Sequence, residues 1–314
     1  MRVLFRFGCA PWLLDWLREL EDDGLKVWTC DEADDRLYGE MMAEAQVLWH
    51  VLRPVTAAAI AAAPHMRLIQ KIGVGVNTID IEAARARGIA VCNMPGTNTA
   101  AVAELALSLM LACLRRLVRF NSAVRSGDGW SWPVDWQGGL GEIGGRTVGL
   151  VGFGAVPQRL APILAAMGAE VIFWNRTPRP DAGFEQVDKA ALLSRADIVS
   201  LHLPLIPETR DWLDAQAVAA LKRGAVVINV ARGGLLDEVA LAAALRDGRV
   251  LAAGLDVFAR EPVLAEDPML AVDNVVLTPH VAWLTRDTLE RSLAVAVENV
   301  HRLETGQELL HRVA

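Results

Sequence analysis

Residues 147–177 read TVGLVGFGAVPQRLAPILAAMGAEVIFWNRT. An apolar strand pattern over 148–151 turns through Gly152-Phe153-Gly154, runs on as an apolar, alanine-rich helix pattern, and returns as a second strand over 170–174. This is a βαβ unit with glycines at its strand-to-helix corner. Such a corner points backbone N–H groups and the positive end of a helix dipole at a pyrophosphate, and side chains on its glycines would block the approach. Gly152 and Gly154 hold two of the three fingerprint positions, with Ala155 and Val156 following them. Pro157 stands at the third, where it is tolerable in a first helical turn but lacks the close helix-to-strand packing of glycine. Pro162 is expected to kink this helix or delay its start.

The end of the second strand bears on which nucleotide fits. A carboxylate about 20 residues past the glycines ordinarily holds a ribose 2′-hydroxyl. Asn175-Arg176-Thr177 stands there instead. With no carboxylate to repel a 2′-phosphate, Arg176 is suited to pair with it and Thr177 to donate a hydrogen bond. NADP is therefore the expected cofactor, with NAD possible.

A chain of 314 residues is long enough for two domains with full cores. Its 53% apolar and 22% charged residues are ordinary for a packed protein. A net charge of -7 without any basic run argues against a nucleic-acid partner. Cys9, Cys30, Cys92 and Cys113 are scattered without CxxC spacing or nearby histidines, which suggests reduced thiols in the cytoplasm and no metal site. Neither a signal peptide nor an apolar run of membrane-spanning length stands out, so no membrane role is expected.

Outward from the glycine corner, the chain alternates strand and helix patterns. Strands are expected over 3–7, 26–30, 47–52, 68–72 and 89–93, with helices starting near Pro11, Asp34, Thr56 and Asp80, which makes a small α/β domain with a parallel sheet. The alanine run 57–63 reads as one of those helices. A long helix over 99–119, apolar on nearly all sides, implies burial between domains or against a partner subunit. Residues 126–145, with three tryptophans among glycines and a proline, read as a connecting loop whose aromatics pack across a subunit contact, with a wall of the substrate cleft as the alternative. After the nucleotide unit come strands over 198–203, 226–230, 251–257 and 275–277, and a last helix over 285–305 that plausibly crosses back to the first domain. Each of those strands ends in a chemically loaded loop: His202 to Pro204, Ala231-Arg232-Gly233-Gly234, Asp256 to Pro262, and Thr278-Pro279-His280. Loops at the C-terminal ends of parallel strands are where such sheets bind ligands.

Three residues in those loops combine into a reaction. His280 is presented in a strand-end loop, and Glu261 in another could sit beside it, where a carboxylate favours the protonated ring of a general acid. Arg232, next to two glycines, offers a fixed fork to a substrate carboxylate. With a nicotinamide the trio spells carbonyl reduction. His50 and Arg53, at the end of the third strand, are placed either toward a cleft or on the surface.

The segments GRTVGLVGFG, INVARGGLLDE, AGLDVFAREP and TPHVAW, preceded by KIGVGVNTID and NMPGTNTAAVAELALSLML, resemble the D-isomer-specific 2-hydroxyacid dehydrogenases over essentially the whole chain. The resemblance implies an α/β fold of two domains: a flavodoxin-like substrate domain, 1–97 plus 284–314, and an inserted Rossmann-like, doubly wound nucleotide domain, 98–283, with the cleft between them. It implies a homodimer built mainly from the nucleotide domain. It makes Arg232 the substrate anchor, Glu261 the partner of the histidine, and His280 the acid in reduction. Asp256 would hold the nicotinamide carboxamide, Ala155 and Val156 would lie against the pyrophosphate, and Pro204, Val230, Ala231 and His280 would fall in the cofactor site. The backbone of Val74 and Gly75 would hold the substrate carboxylate.

Two departures bear on substrate. Trp283 stands where many members have glycine and would narrow the pocket toward small substrates. The chain stops soon after its last helix, with no regulatory extension of the kind found in many phosphoglycerate dehydrogenases. The favoured expectation is reduction of glyoxylate, hydroxypyruvate or a similar small 2-keto acid. Phosphoglycerate dehydrogenase-like activity, formate oxidation on the same scaffold, and a dinucleotide-sensing, corepressor-like binding module are the alternatives.

Overall fold

A computed structural model describes residues 1–22 and 24–314, with all their side chains except those at 22, 135 and 136. Its contacts divide the chain into two units, Met1–Asn98 with Thr285–Ala314, and Thr99–Leu284.

The first unit is a five-stranded, all-parallel sheet of β1 (Arg2–Arg6), β2 (Lys26–Cys30), β3 (Val47–His50), β4 (Leu68–Lys71) and β5 (Ala90–Cys92), in the order β2-β1-β3-β4-β5. That is the flavodoxin-like order, whose chain direction across the sheet reverses between β1 and β3. Helices between the strands begin where short polar side chains cap them. Asp34, Thr56 and Asp80 accept from the backbone N–H of Leu37, Ala59 and Ala83. The alanine run contributes the Ala57–Ala61 helix. The Arg286–Thr305 helix, capped by Thr285, joins this unit through a buried bond from Asn299 Nδ2 to Gln70 Oε1 at 2.6 Å. Beyond it, Val313 and Ala314 exchange backbone hydrogen bonds with Val91, so the last residues cover the β5 edge.

The second unit is a seven-stranded parallel sheet of β6 (Thr147–Val151), β7 (Glu170–Trp174), β8 (Glu185–Gln186), β9 (Ile198–Leu201), β10 (Ala225–Asn229), β11 (Val250–Leu255) and β12 (Val275–Leu277). Its order, β12-β11-β10-β9-β6-β7-β8, is the Rossmann winding with the switch point between β6 and β9. β6, β9 and β10 are almost wholly buried, as strands covered on both faces must be.

Two expectations about helix bounds are corrected. The 99–119 helix ends at Arg115, because Arg116 takes the left-handed conformation (φ 48°), and a second helix, Leu117–Ser126, follows. The buried face of the Thr99–Arg115 helix packs within its own unit, against the Ala155–Ala166 helix, β10 and β11. The glycine-corner helix starts directly at Ala155, so Pro162 does not delay it and lies inside it. Of the tryptophans in the 126–145 stretch, Trp130 is 93% exposed and Trp132 meets Phe120 edge-on, with centroids 5.9 Å apart. The side chain of Trp136 lies outside the described residues. No helix among the described residues is long and apolar enough to cross a membrane.

Candidate active site

At the β6 corner, Gly152 has φ +93°, and a Cβ there would come within 3.0 Å of the His202 carbonyl. The position accepts only glycine without strain. Gly154 caps the Ala155–Ala166 helix, and the space a Cβ would take there is open. An open cradle at a helix N-terminus fits a pyrophosphate. Pro157 sits buried in the first turn, where its missing N–H leaves no hydrogen bond unmade.

Asn175 ties this corner to the end of β7: its Oδ1 accepts from Phe153 N at 3.3 Å and its Nδ2 donates to Thr177 O at 2.8 Å. The amide expected to face a ribose is thus engaged with backbone. Arg176 and Thr177 are exposed, and Arg176 takes part in none of the ion pairs among the described residues. Arg179 was not singled out in the sequence. Its guanidinium donates to Phe153 O at 3.3 Å, and it lines a groove of about 470 Å³ with Phe153, Gln158 and Pro178. The RTPR spacing was the available signal. Pro204 is exposed beyond β9, its carbonyl accepting from Thr209 Oγ1 at 2.6 Å.

The second cluster is built by the turns after β10, β11 and β12. Asn229, fully buried at the end of β10, accepts from Ala231 N at 3.1 Å and donates to Arg232 O at 2.9 Å, which closes the turn that carries Arg232. Val230 is buried and Ala231 half-buried beside it. Burial weakens the hold of Arg232 on its proton, and the nearby Glu261 charge opposes that effect. Gly233 packs directly on the neighbouring turn: a Cβ there would lie 1.8 Å from the Phe258 carbonyl carbon.

Asp256, wholly buried after β11, organises the turn after β12. It accepts from Thr278 Oγ1 at 2.6 Å, Val281 N at 2.9 Å and Ala282 N at 2.8 Å, while its own carbonyl accepts from His280 N at 2.8 Å. Desolvation raises its carboxyl against the pull of those donors. The carboxylate implied as a carboxamide ligand is therefore engaged, through both oxygens, in shaping the loop of His280. That loop holds His280 at φ +57° and brings its Nδ1 to 2.7 Å from Glu261 Oε2. Burial would raise Glu261, but the bond to His280, the Phe258 N–H at 3.0 Å and the Arg232 charge outweigh it and keep the carboxyl below its usual range. Nδ1 being taken by Glu261, Nε2 is the ring atom left for proton transfer. Trp283 is buried just beyond.

The remaining expected residues fall in the first unit. Val74 is 44% exposed, in a loop entered through Gly73 at φ +143° and held by Asn93 Nδ2 on Val74 O at 2.9 Å, with Gly75 next. His50 is buried, its Nε2 2.8 Å from Thr78 Oγ1, and Arg53 is paired with Asp35.

A Rossmann-wound unit with a glycine corner, and an arginine, a glutamate and a histidine gathered on its strand-end turns, defines a class of dinucleotide-type α/β proteins. The comparisons narrow the class. Residues 107–282 match the family described as D-isomer specific 2-hydroxyacid dehydrogenase, NAD binding domain. Similar curated proteins include D-3-phosphoglycerate dehydrogenase of Mycobacterium leprae, 40% identical over 81% of this chain and 48% of that one. Others are glyoxylate reductase of Aeropyrum pernix (37%; 98% and 93%) and hydroxypyruvate reductase of Thermotoga maritima (38%; 79% and 80%). The chain spans about half the length of the phosphoglycerate dehydrogenases it matches. Among solved structures, the TT0316 protein of Thermus thermophilus superposes with TM-score 0.91 at 37% identity over the full length of both chains. An acyclic imino acid reductase solved with NADPH and D-Arg does so with TM-score 0.85 at 26%, again over both full chains. The chain belongs to the D-isomer specific 2-hydroxyacid dehydrogenase family.

Proposed function

We propose that the protein reduces a small 2-keto acid, glyoxylate or hydroxypyruvate in the first place, to the D-2-hydroxy acid, with NADPH preferred over NADH. The observation that carries this reading is the 2.7 Å contact between His280 Nδ1 and Glu261, in the same cluster of turns as Arg232. A bound nicotinamide supplies the hydride. Arg232 anchors the substrate carboxylate through its planar fork and polarises the carbonyl. His280 delivers the proton from Nε2 to the carbonyl oxygen, and Glu261 stabilises the protonated ring before transfer. Gly152, Gly154, Ala155 and Val156 receive the pyrophosphate, Arg176 and Thr177 the 2′-phosphate, and Pro204, Val230, Ala231 and Asp256 the rest of the cofactor. Val74 and Gly75 contribute backbone to the substrate carboxylate, and Trp283 limits substrate size.

Relatives named glyoxylate reductase and hydroxypyruvate reductase support the substrate class, and the phosphoglycerate dehydrogenases among them make that acid the second candidate. The exposed apolar side chains of Leu117, Val118, Val124 and Trp130 support a homodimer formed through the Leu117–Ser126 helix and the residues that follow it. The four free cysteines are in keeping with a cytoplasmic setting.

Initial rates of NADPH and NADH oxidation with glyoxylate, hydroxypyruvate, pyruvate and the oxidised acid of phosphoglycerate test the reading. Turnover is expected to be fastest with NADPH and with glyoxylate or hydroxypyruvate as the acid. Arg176→Ala is expected to raise the KM for NADPH about 10- to 100-fold, the usual cost of a charge-assisted contact, and to leave that for NADH unchanged. Arg232→Ala should abolish turnover with every acid; equal rates in this variant would refute the assignment.

A further inference from the structure

The arginine and the histidine–glutamate pair stand on different turns, so their spacing depends on what holds those turns together. Two contacts do so. Gly233 lies flat against the Phe258–Ala259 peptide, at a distance no Cβ could share. Glu238, the first residue of the Glu238–Arg246 helix that follows the Arg232 turn, accepts from Ala259 N at 2.7 Å through Oε1. One residue back along the same turn, Phe258 N donates to Glu261 Oε1 at 3.0 Å, and the other Glu261 oxygen holds His280. A continuous series of short bonds thus runs from the arginine turn through Glu238, the 258–259 backbone and Glu261 to the histidine ring.

The position is a costly one for a carboxylate. Glu238 is half-buried, and burial together with Asp267, Glu261 and Asp237 pushes its carboxyl above the usual range. Helix capping does not require it, since Asp237 caps this helix by accepting from Ala240 N at 2.9 Å. What Glu238 alone supplies is an acceptor for the Ala259 amide.

We infer that Glu238 is a positioning residue, tying the turn that carries Arg232 to the turn that carries Glu261 and so fixing where His280 presents its proton. This rests on the reductase reading for its kinetic consequence, though not for the tie itself. Glu238→Ala removes the acceptor, and Glu238→Gln keeps Oε1 without the charge. Hydrogen exchange on the free protein reads the tie directly. In Glu238→Ala the 258–261 amides are expected to exchange about tenfold faster, with β10 and β11 unchanged, and in Glu238→Gln close to wild type. In turnover, Glu238→Ala is expected to lower kcat about 10- to 100-fold, the scale of a misplaced reacting group, with the substrate KM moved less than about threefold and the pH profile of kcat displaced. Glu238→Gln should recover kcat to within about threefold.

Folded Glu238→Ala protein with unaltered exchange at 258–261 would overturn the tie. Faster exchange with wild-type kcat and pH profile would overturn its role in positioning. If the wild-type protein turns over no 2-keto acid, the functional reading fails, and the exchange measurement still decides whether the tie exists.

Discussion

Gly233 and Gly154 are both glycines of the site, yet their surroundings predict opposite outcomes for the same substitution. At Gly233 a methyl group would overlap the Phe258 peptide, which is backbone and cannot swing aside. Gly233→Ala is therefore expected to cost about 1–3 kcal/mol or more of stability, as overpacked interiors do, seen as a lower urea midpoint with an unchanged slope. Turnover should fall with it, because the 258–261 turn must move. At Gly154 the same methyl meets no protein atom within 4 Å and φ is -81°. Gly154→Ala is expected to keep stability within about 1 kcal/mol and instead to weaken dinucleotide binding, measured by titration calorimetry, because the methyl fills the cradle. Unaltered dinucleotide affinity in that variant would argue against the pyrophosphate sitting there. Arg232, Glu261 and His280 were legible in the sequence because each stands in a strand-end loop with glycine or proline beside it. Asn229, Glu238 and the loop-shaping bonds of Asp256 were missed for one reason. Their task is to satisfy backbone groups of other loops, and those partners are distant in sequence.

At the scale of single elements, the glycine-corner helix carries an internal proline at an exposed position. Pro162 has no N–H to return to the carbonyl of Gln158, and an interior proline costs about 3 kcal/mol relative to alanine. The loss of proline's rigidity in the unfolded chain offsets about 0.4–1 kcal/mol of that. Pro162→Ala is thus expected to stabilise the protein by about 2 kcal/mol in urea unfolding, without touching the open cradle at the helix start. A neutral or destabilising result would mean that the ring packs usefully where it now stands. Most helix starts could be read from sequence, because Asp34, Thr56, Asp80 and Thr285 announce themselves as caps. The break at Arg116 could not. A left-handed arginine between two helical stretches carries no glycine or proline beside it, and helix-forming residues resume directly after it.

At the scale of the whole molecule, each unit encloses a histidine held neutral, and this sets the response to acid. His50 in the first unit is driven well below its ordinary value by burial, with the charges of Lys71 and Arg6 adding to the effect. His202 in the second is lowered by burial from 6.5 to about 3, with Ser200 Oγ 2.9 Å from its Nε2. A depressed folded value means stability that is complete above pH 6.5 and declines as pH falls, because the unfolded chain takes up a proton that the native ring refuses. Each unit is therefore expected to lose about 1.4 kcal/mol per pH unit to its own histidine between roughly pH 6 and 5. Lowered carboxyls such as Glu261 and Asp197 act only nearer their ordinary values of 4.5 and 3.8, and the raised carboxyls of Glu238 and Asp256, which take up protons in the folded state, oppose the decline in the second unit. Urea unfolding at pH 7.0, 6.0 and 5.0, with a probe for each unit, measures the slope. His202→Gln should flatten it in the second unit alone and His50→Gln in the first alone. A slope that survives its own substitution would show that the histidine is not the group taking up the proton.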